Sequence, residues 1–323
     1  MKLATLNNHT RDGQLIVVDK QLKQFAYAND IAKTMQEALD NWSQVNTSLE
    51  ERYHALNEKR IDSFPFEVNN VLSPLPRAYQ WADASAYVTH VELMRKTRGE
   101  TLPENFWVDP LMYQGGSDHF FSPREKIAGF DPKWGIDFEA EVAVITNDVK
   151  MGTSVEDAGK QILLIMLAND VSLRYLIPSE LAKGFGFFQG KPASAFSPVA
   201  VTPDELGSAW RDYKVHLPMR TYYNEKLFGQ PNAGVDMVFN FAQLIAHAAK
   251  TRELCAGSII GSGTVSNSDH SVGSSCIAEV RMLEKLKFGE AKSHFMQPED
   301  SVRIEMLDES GHNIFGSIEQ EVI

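Results

Sequence analysis

GIDFEAEVAVI, residues 135–145, sets Asp137, Glu139 and Glu141 at every second position of an otherwise apolar run. In a β-strand successive side chains point to opposite faces, so this spacing predicts three carboxylates on one side and Phe138, Ala140 and Val142 on the other. Two readings account for such a strand. A sheet with one solvated face simply keeps its acids in water. Alternatively, the carboxylates converge on a hard cation, whose charge relieves their repulsion and whose shell prefers oxygen. A lone E-x-E does not choose between the two, so the rest of the chain has to.

Composition sets the bounds. With 323 residues, 43% hydrophobic and 23% charged, the chain has the make-up of a globular protein, long enough for a substantial core and a second, smaller unit. Its formal net charge of −12 argues against nucleic acid as a partner, because that affinity comes from cationic side chains displacing counterions. Small molecules are the expected partners. No apolar run reaches bilayer length, and the opening MKLATLNNHTRDGQ is too polar for the core of a secretory signal, so no membrane association and a cytoplasmic location are expected. Cys255 and Cys276 sit among small and apolar residues and read as buried, reduced thiols.

The pattern changes along the chain. QLIVVD reads as a short strand, and DIAKTMQEALDNWSQVNTSLEERYHALNEK as one or two helices, with Asp30 as N-cap and Ile31, Met35, Leu39 and Trp42 at helical spacing. Proline-punctuated segments follow from SFPFEV, which puts a domain boundary near Pro74 to Arg77. Beyond it strand signals dominate: FEAEVAVI, YKVHLPMRTYYN, GSIIGSGTV, SCIAEVRMLE, SVRIEML and NIFGSIEQEV, the last two joined by the turn DESGH. VEDAGKQILLIMLAND is apolar enough to read as a buried helix, and NFAQLIAHAAKTREL carries Asn240 and Gln243 in capping-box spacing. Strands outnumber helices without strict β-α alternation, which predicts an α+β fold with a mostly β core rather than a doubly wound sheet. There is no internal repeat.

Several chemistries drop out. FGFFQGKPAS has its glycines wrongly spaced for a phosphate loop, with Pro192 where Ser or Thr would bind magnesium. GSGTVSN lacks the third glycine of a dinucleotide fingerprint and runs into a turn rather than a helix. Neither G-x-S-x-G nor H-E-x-x-H occurs. What remains is rich in oxygen ligands. ANDVSLR places Asp170 where the apolar segment surfaces, with Arg174 four residues on; by itself this is an aspartate ending a helix beside its ion-pair partner. YQWADASAYVTH adds Asp83 and His90, and a solitary histidine is more often structural than a base.

Taken together and in order, DASAYVTH, WGIDFEAEVAVI, LANDVSLR, QGKPASAFSPVAV, GSGTVSN and SSCIAE resemble the fumarylacetoacetate hydrolase family. The resemblance runs from about residue 75 to the C-terminus. It implies a β-rich, mixed-sheet catalytic core of the β-roll type over residues 76–323, preceded by a small N-terminal α/β cap over residues 1–75. The order of the motifs, an E-x-E strand, then N-D-x-S-x-R, then G-K before Ser-Pro, is more specific than any one of them.

What the resemblance implies for the site is explicit. The family's metal ligands fall on Asp83, Glu139, Glu141 and Asp170, leaving Asp137 solvated or hydrogen-bonded to a turn. Four carboxylates without Cys or His favour Mg²⁺ or Ca²⁺, with Mn²⁺ as a further candidate. His90 falls at the general-base position and Glu279 at the acid that orients it. Arg174 and Lys191 resemble the family's cationic donors to an oxyanion, and Ser85, Arg98, Gln189 and Thr264 match substrate-binding positions, with Arg95 as an alternative to Arg98. The chain departs from fumarylacetoacetate hydrolases at Ile177 and Leu181, where those enzymes carry glutamine and tyrosine.

The implied activity is metal-dependent hydrolysis of a carbon–carbon bond in a 1,3-dicarbonyl acid, fumarylacetoacetate or a related acylpyruvate, in the breakdown of tyrosine or other aromatics. A lyase of the same superfamily, a 2-oxo-acid decarboxylase or sugar-acid dehydratase, is the alternative, and a noncatalytic small-molecule binder the reading from another class. A homodimer is expected from the resemblance alone.

Overall fold

The computed structural model describes residues 1–96, 101–102 and 104–323. Its centre is a mixed sheet in the order Phe64–Pro65, Gln24–Tyr27, Gln14–Val18, Lys2–Leu6, Ala200–Val201, Ile162–Asn169, Ala140–Thr146, Ile259–Gly261, Trp81–Ala84, Met112–Gly115. Of these neighbours only Ile259–Gly261 and Trp81–Ala84 run parallel. The four N-terminal strands continue the same sheet, joined to it where Lys2–Leu6 pairs with Ala200–Val201. Two helices, Met35–Asp40 and Trp42–Asn57, lie in the N-terminal segment. A separate four-stranded antiparallel sheet holds Lys226–Gly229, Arg220–Tyr223, Ser301–Glu305 and Ile318–Glu321, so SVRIEML and the end of NIFGSIEQEV do pair. This is an α+β fold, as the strand-rich sequence predicts.

The central strands are buried on both faces. Val142 and Val144 pack into one apolar cluster with Ile165 and Leu167, while Ala143, Ile145, Leu164 and Met166 pack into a second on the opposite face. That double burial explains the main departure from expectation: ILLIMLAND is a strand, Ile162–Asn169, with only Val155–Gly159 helical before it. A strand covered on both sides needs apolar residues at every position, and its run cannot be told from a buried helix by periodicity.

SCIAEVRMLE departs in the other direction. It forms the helix Ile277–Phe288, ended by Gly289 in the left-handed region. Its N-terminal amides are satisfied from far away: Asp137 accepts from Ile277 N at 2.8 Å and from Ala278 N at 2.9 Å. A cap supplied from 140 residues upstream leaves no local helix-start signal, and Cys276 at the N-cap position is not a preferred cap. The N-cap of the first helix is Thr34 rather than Asp30, which instead pairs with Arg52. The capping box of Asn240 and Gln243 forms as its spacing predicts. Cys276 is buried, but Cys255 is exposed, contrary to expectation.

Candidate metal and active site

The alternation of the central strands assembles the acidic cluster. Ala143 pairs with Met166 and Glu141 with Ala168, while Gly261 lies beside both Asp83 and Ala143. Counting by twos, Glu141 follows Ala143, Asp83 follows Trp81, and Asp170 follows Ala168, so all three acids extend the same face of the sheet beyond its apolar layer. Their carboxylates each offer an oxygen within 4.8 Å of the others. Two glycines make this approach possible. A Cβ at Gly261 would lie 2.3 Å from Asp83 Oδ1, and Gly263, at φ +77°, would press one to 2.2 Å from the Ala84 carbonyl. Gly263 N donates to Asp83 Oδ1 at 3.0 Å. The glycines of GSGTVSN thus serve close backbone packing.

The cluster is electrostatically incomplete within the protein alone. Glu141 is fully buried, and neither of its oxygens has a protein hydrogen-bond partner. Burial, followed by the negative charges of Asp83 and Asp170, pushes its carboxyl well above the usual carboxylate range. Burial and then Asp170 push Asp83 up to about 8. Asp170 is better held: Tyr113 Oη and Ser194 Oγ each donate to it at 2.6 Å, and Trp81 Nε1 supports Ser194 at 3.1 Å. A buried all-oxygen set with an orphaned carboxylate fits a hard divalent cation, which removes both the repulsion and the missing partner.

Glu139 stands apart from these three. The strand breaks before Ala140, and the chain at residues 138–139 leaves the ladder. Glu139 turns to the cations instead: Lys191 Nζ donates to its Oε2 at 2.5 Å, and Arg174 Nη2 lies 2.7 Å from its Oε1. Lys191 also donates to Asp170 Oδ2 at 2.6 Å. Burial would raise the Glu139 carboxyl, but the charges of Lys191 and Arg174 outweigh it and hold the group ionised. Arg174 Nε reaches back to Asp137 Oδ2 at 2.8 Å. Asp137 is therefore not solvated; it is fully buried, holding a helix N-terminus on one side and a guanidinium on the other.

His90 Nδ1 lies 2.7 Å from Glu279 Oε2, and Ser274 Oγ donates to Glu279 Oε1 at 3.1 Å. Burial of Glu279 is outweighed by His90 and nearby hydroxyls, which hold its carboxyl below the usual range. An ionised carboxylate only accepts, so Nδ1 carries the proton and Nε2 is the basic nitrogen of the neutral ring. His90 and, of the acidic cluster, Asp83 line a cavity of about 490 Å³, together with Ser85, Glu139, Arg174, Lys191 and Thr264 among others. Ile177 and Leu181 form part of its apolar wall.

Two substrate-binding expectations fare differently. Gln189 is exposed and is not among the lining residues; its backbone amide is held by Glu180 at 2.6 Å, on the outside of the turn before Lys191. Arg98 lies outside the described residues, while Arg95 does line the cavity. Tyr113, Ser194 and Trp81 escaped the sequence reading. Only the aspartate they support was legible, because a second layer of hydrogen bonds has no fixed spacing in sequence.

A family model for the fumarylacetoacetate (FAA) hydrolase C-terminal region matches residues 80–323, and one for fumarylacetoacetase N-terminal domain 2 matches residues 1–77. The chain belongs to the fumarylacetoacetate hydrolase family. Members of this family act as enzymes on small molecules. A 2,4-didehydro-3-deoxy-L-rhamnonate hydrolase from Sphingomonas sp. (strain SKA58) is 27% identical over 159 residues, 48% of this chain, and the match spans about half, 53%, of that relative's length. A candidate HpcE protein from Mycobacterium smegmatis superposes with a TM-score of 0.71 at 19% identity, covering 100% of this chain and 99% of that one. The maleylpyruvate hydrolase of Sphingobium sp. SYK-6, in complex with manganese(II) and pyruvate, gives 0.67 at 15% identity, with 100% and 99% covered. At these identities the two structures share the fold. No helix among the described residues is long and apolar enough to cross a membrane.

Proposed function

We propose that this chain is a divalent-metal-dependent hydrolase that cleaves a carbon–carbon bond in a 1,3-dicarbonyl acid, fumarylacetoacetate or a close acylpyruvate relative. One observation carries the reading: a buried Asp83, Glu141 and Asp170 cluster with an unpartnered carboxylate reaches, through Asp83, the cavity that a carboxylate-oriented histidine also lines. Those three acids would hold the ion, with Glu139 beside them. When bound, a divalent cation supplies Lewis-acid polarisation of substrate oxygens.

The remaining work falls to the side chains. His90 Nε2 takes the proton of the attacking water, and Glu279 keeps the ring in the required tautomer and stabilises the imidazolium. Attack at the carbonyl carbon makes an oxyanion, and the carbon–carbon bond then breaks toward the carbon between the two carbonyls, whose negative charge spreads onto oxygen as an enolate. Lys191, with two of its three N–H bonds on Glu139 and Asp170, keeps one for such an oxygen, and Arg174 adds positive charge at the same end of the cavity. Thr264 and Ser85 line the wall where a substrate carboxylate would be positioned. The reading includes a homodimer and a place in the breakdown of aromatic compounds.

The test is a panel of fumarylacetoacetate, fumarylpyruvate and simpler acylpyruvates, incubated with protein loaded with Mg²⁺, Mn²⁺ or Ca²⁺ and followed by loss of dicarbonyl absorbance. Turnover is expected, and His90→Ala should slow it by about 10²–10⁴-fold. No turnover of any of these compounds overturns the hydrolase assignment. An unchanged rate in His90→Ala favours a lyase that needs no water-activating base.

A further inference from the structure

The helix Ile277–Phe288 does more than carry Glu279. Ala278, Arg281, Met282 and Lys285 all line the cavity, and their spacing of i, i+3, i+4 and i+7 places them on one helix face. At about 1.5 Å of rise per residue, this face runs about 10 Å from the His90–Glu279 end to Lys285. The character of the cavity changes along it. One part is lined by Asp83 of the acidic cluster and by Glu139 with its Lys191 and Arg174, and the helix face carries Arg281 and Lys285 beyond it, with Arg95 also in the lining. Leu111, Ile177, Pro178 and Leu181 add apolar wall.

Arg281 is aimed rather than loose. Its guanidinium stacks 4.5 Å from the Phe295 ring centroid, and one Nη donates to the Ser293 carbonyl. Among the described residues no carboxylate lies within ion-pair distance of Arg281 or of Lys285. The acid acting on Arg281 is Glu284, whose oxygens are taken by the amides of Lys292 and Ser293 and the Ser293 hydroxyl; a positioned guanidinium and an ammonium lining a cavity without a direct ion pair, in a protein of net charge −12, are suited to an anion.

We propose that Arg281 and Lys285 form a second anion subsite that reads a remote carboxylate of the substrate, so that the cavity selects acids carrying a second carboxylate beyond an apolar stretch. The substrate class rests on the hydrolase reading above; the subsite itself is tested by binding alone. The competing explanation is that basic residues in the last turn merely favour the helix dipole. Lys287, in the same turn but outside the cavity lining and 5.2 Å from the Phe288 ring centroid, separates the two.

The experiment uses calorimetric Kd values for 2-oxopimelate and 2-oxoheptanoate, which match in length and differ in the remote carboxylate, on metal-loaded protein. Wild-type protein should prefer the diacid by about tenfold or more, Arg281→Met/Lys285→Met should bring the two within about threefold, and Lys287→Met should keep the preference. Lys285→Met alone, at an exposed position, should lose part of the preference and guards against misfolding of the double variant. Equal binding of both acids by wild-type protein, an undiminished preference in the double variant and in Lys285→Met, or an equal loss in Lys287→Met each overturns the subsite. A retained diacid preference without turnover of any dicarbonyl acid would leave the subsite standing and remove only the hydrolase reading.

Discussion

Asp137 and Glu141 lie four residues apart in one stretch, both fully buried, and their surroundings are opposite. Around Asp137 the protein supplies donors, the amides of Phe138, Ile277 and Ala278 and the guanidinium of Arg174, although burial still leaves its carboxyl above the usual range. Around Glu141 the neighbours are two more carboxylates, and no amide, hydroxyl or cation donates to it. Taking a carboxylate out of water costs several kcal/mol unless something replaces the lost hydration. The first region offsets much of that cost with its own donors and ties a helix N-terminus to a guanidinium. The second lacks such donors and fits a cation from outside, the ligand role proposed above.

The comparison can be broken by mutation. Asp137→Asn should destabilise the protein by about 3–5 kcal/mol, whether or not a metal is present, because Arg174 loses one of its two buried carboxylate partners and a helix N-terminus loses a charged cap; denaturant unfolding measures it. Glu141→Gln should behave in the contrary way. Wild-type protein should gain about 2.7 kcal/mol when a divalent cation is raised to a hundred times its Kd, and the variant should lose that gain while its metal-free form stays at least as stable. If Glu141→Gln instead unfolded the metal-free protein and left cation binding intact, the contrast between the two regions would be lost.

Glu279 sharpens the picture through pH. Its folded-state pKa is depressed, so its stabilising contribution is full above the unfolded carboxylate range near 4.3 and disappears as pH falls through the lower folded value. Wild-type protein should therefore exceed Glu279→Gln by about 1.5–3 kcal/mol at pH 7, the worth of hydrogen bonds to a charged group, and the gap should close in acid; Tm measured across pH follows it. Asn240→Ala should give the smallest effect, about 1 kcal/mol from a lost capping box distant in sequence from every site residue, with metal affinity unchanged.

Much of this was legible before folding. The strand-rich pattern gave the α+β class, and the ordered motifs named Asp83, Glu141, Asp170, His90 and Glu279, which the structure brings together in two groups, with Asp83 and His90 lining one cavity. What misled was local: the Ile162–Asn169 strand reads as a helix because both its faces are covered, and the Ile277–Phe288 helix reads as a strand because its cap comes from Asp137.

The sequence by itself determined the identities and order of the chemical groups, since the spacing of ligand-type residues survives in one dimension. Only the tertiary structure decided which partners each acid meets. Glu139 and Glu141 are equivalent as letters two apart, yet a break in the strand hands Glu139 to Lys191 and Arg174 and leaves Glu141 among carboxylates. The energy of a buried charge depends on the partners that distant segments bring to it, and no local spacing encodes those.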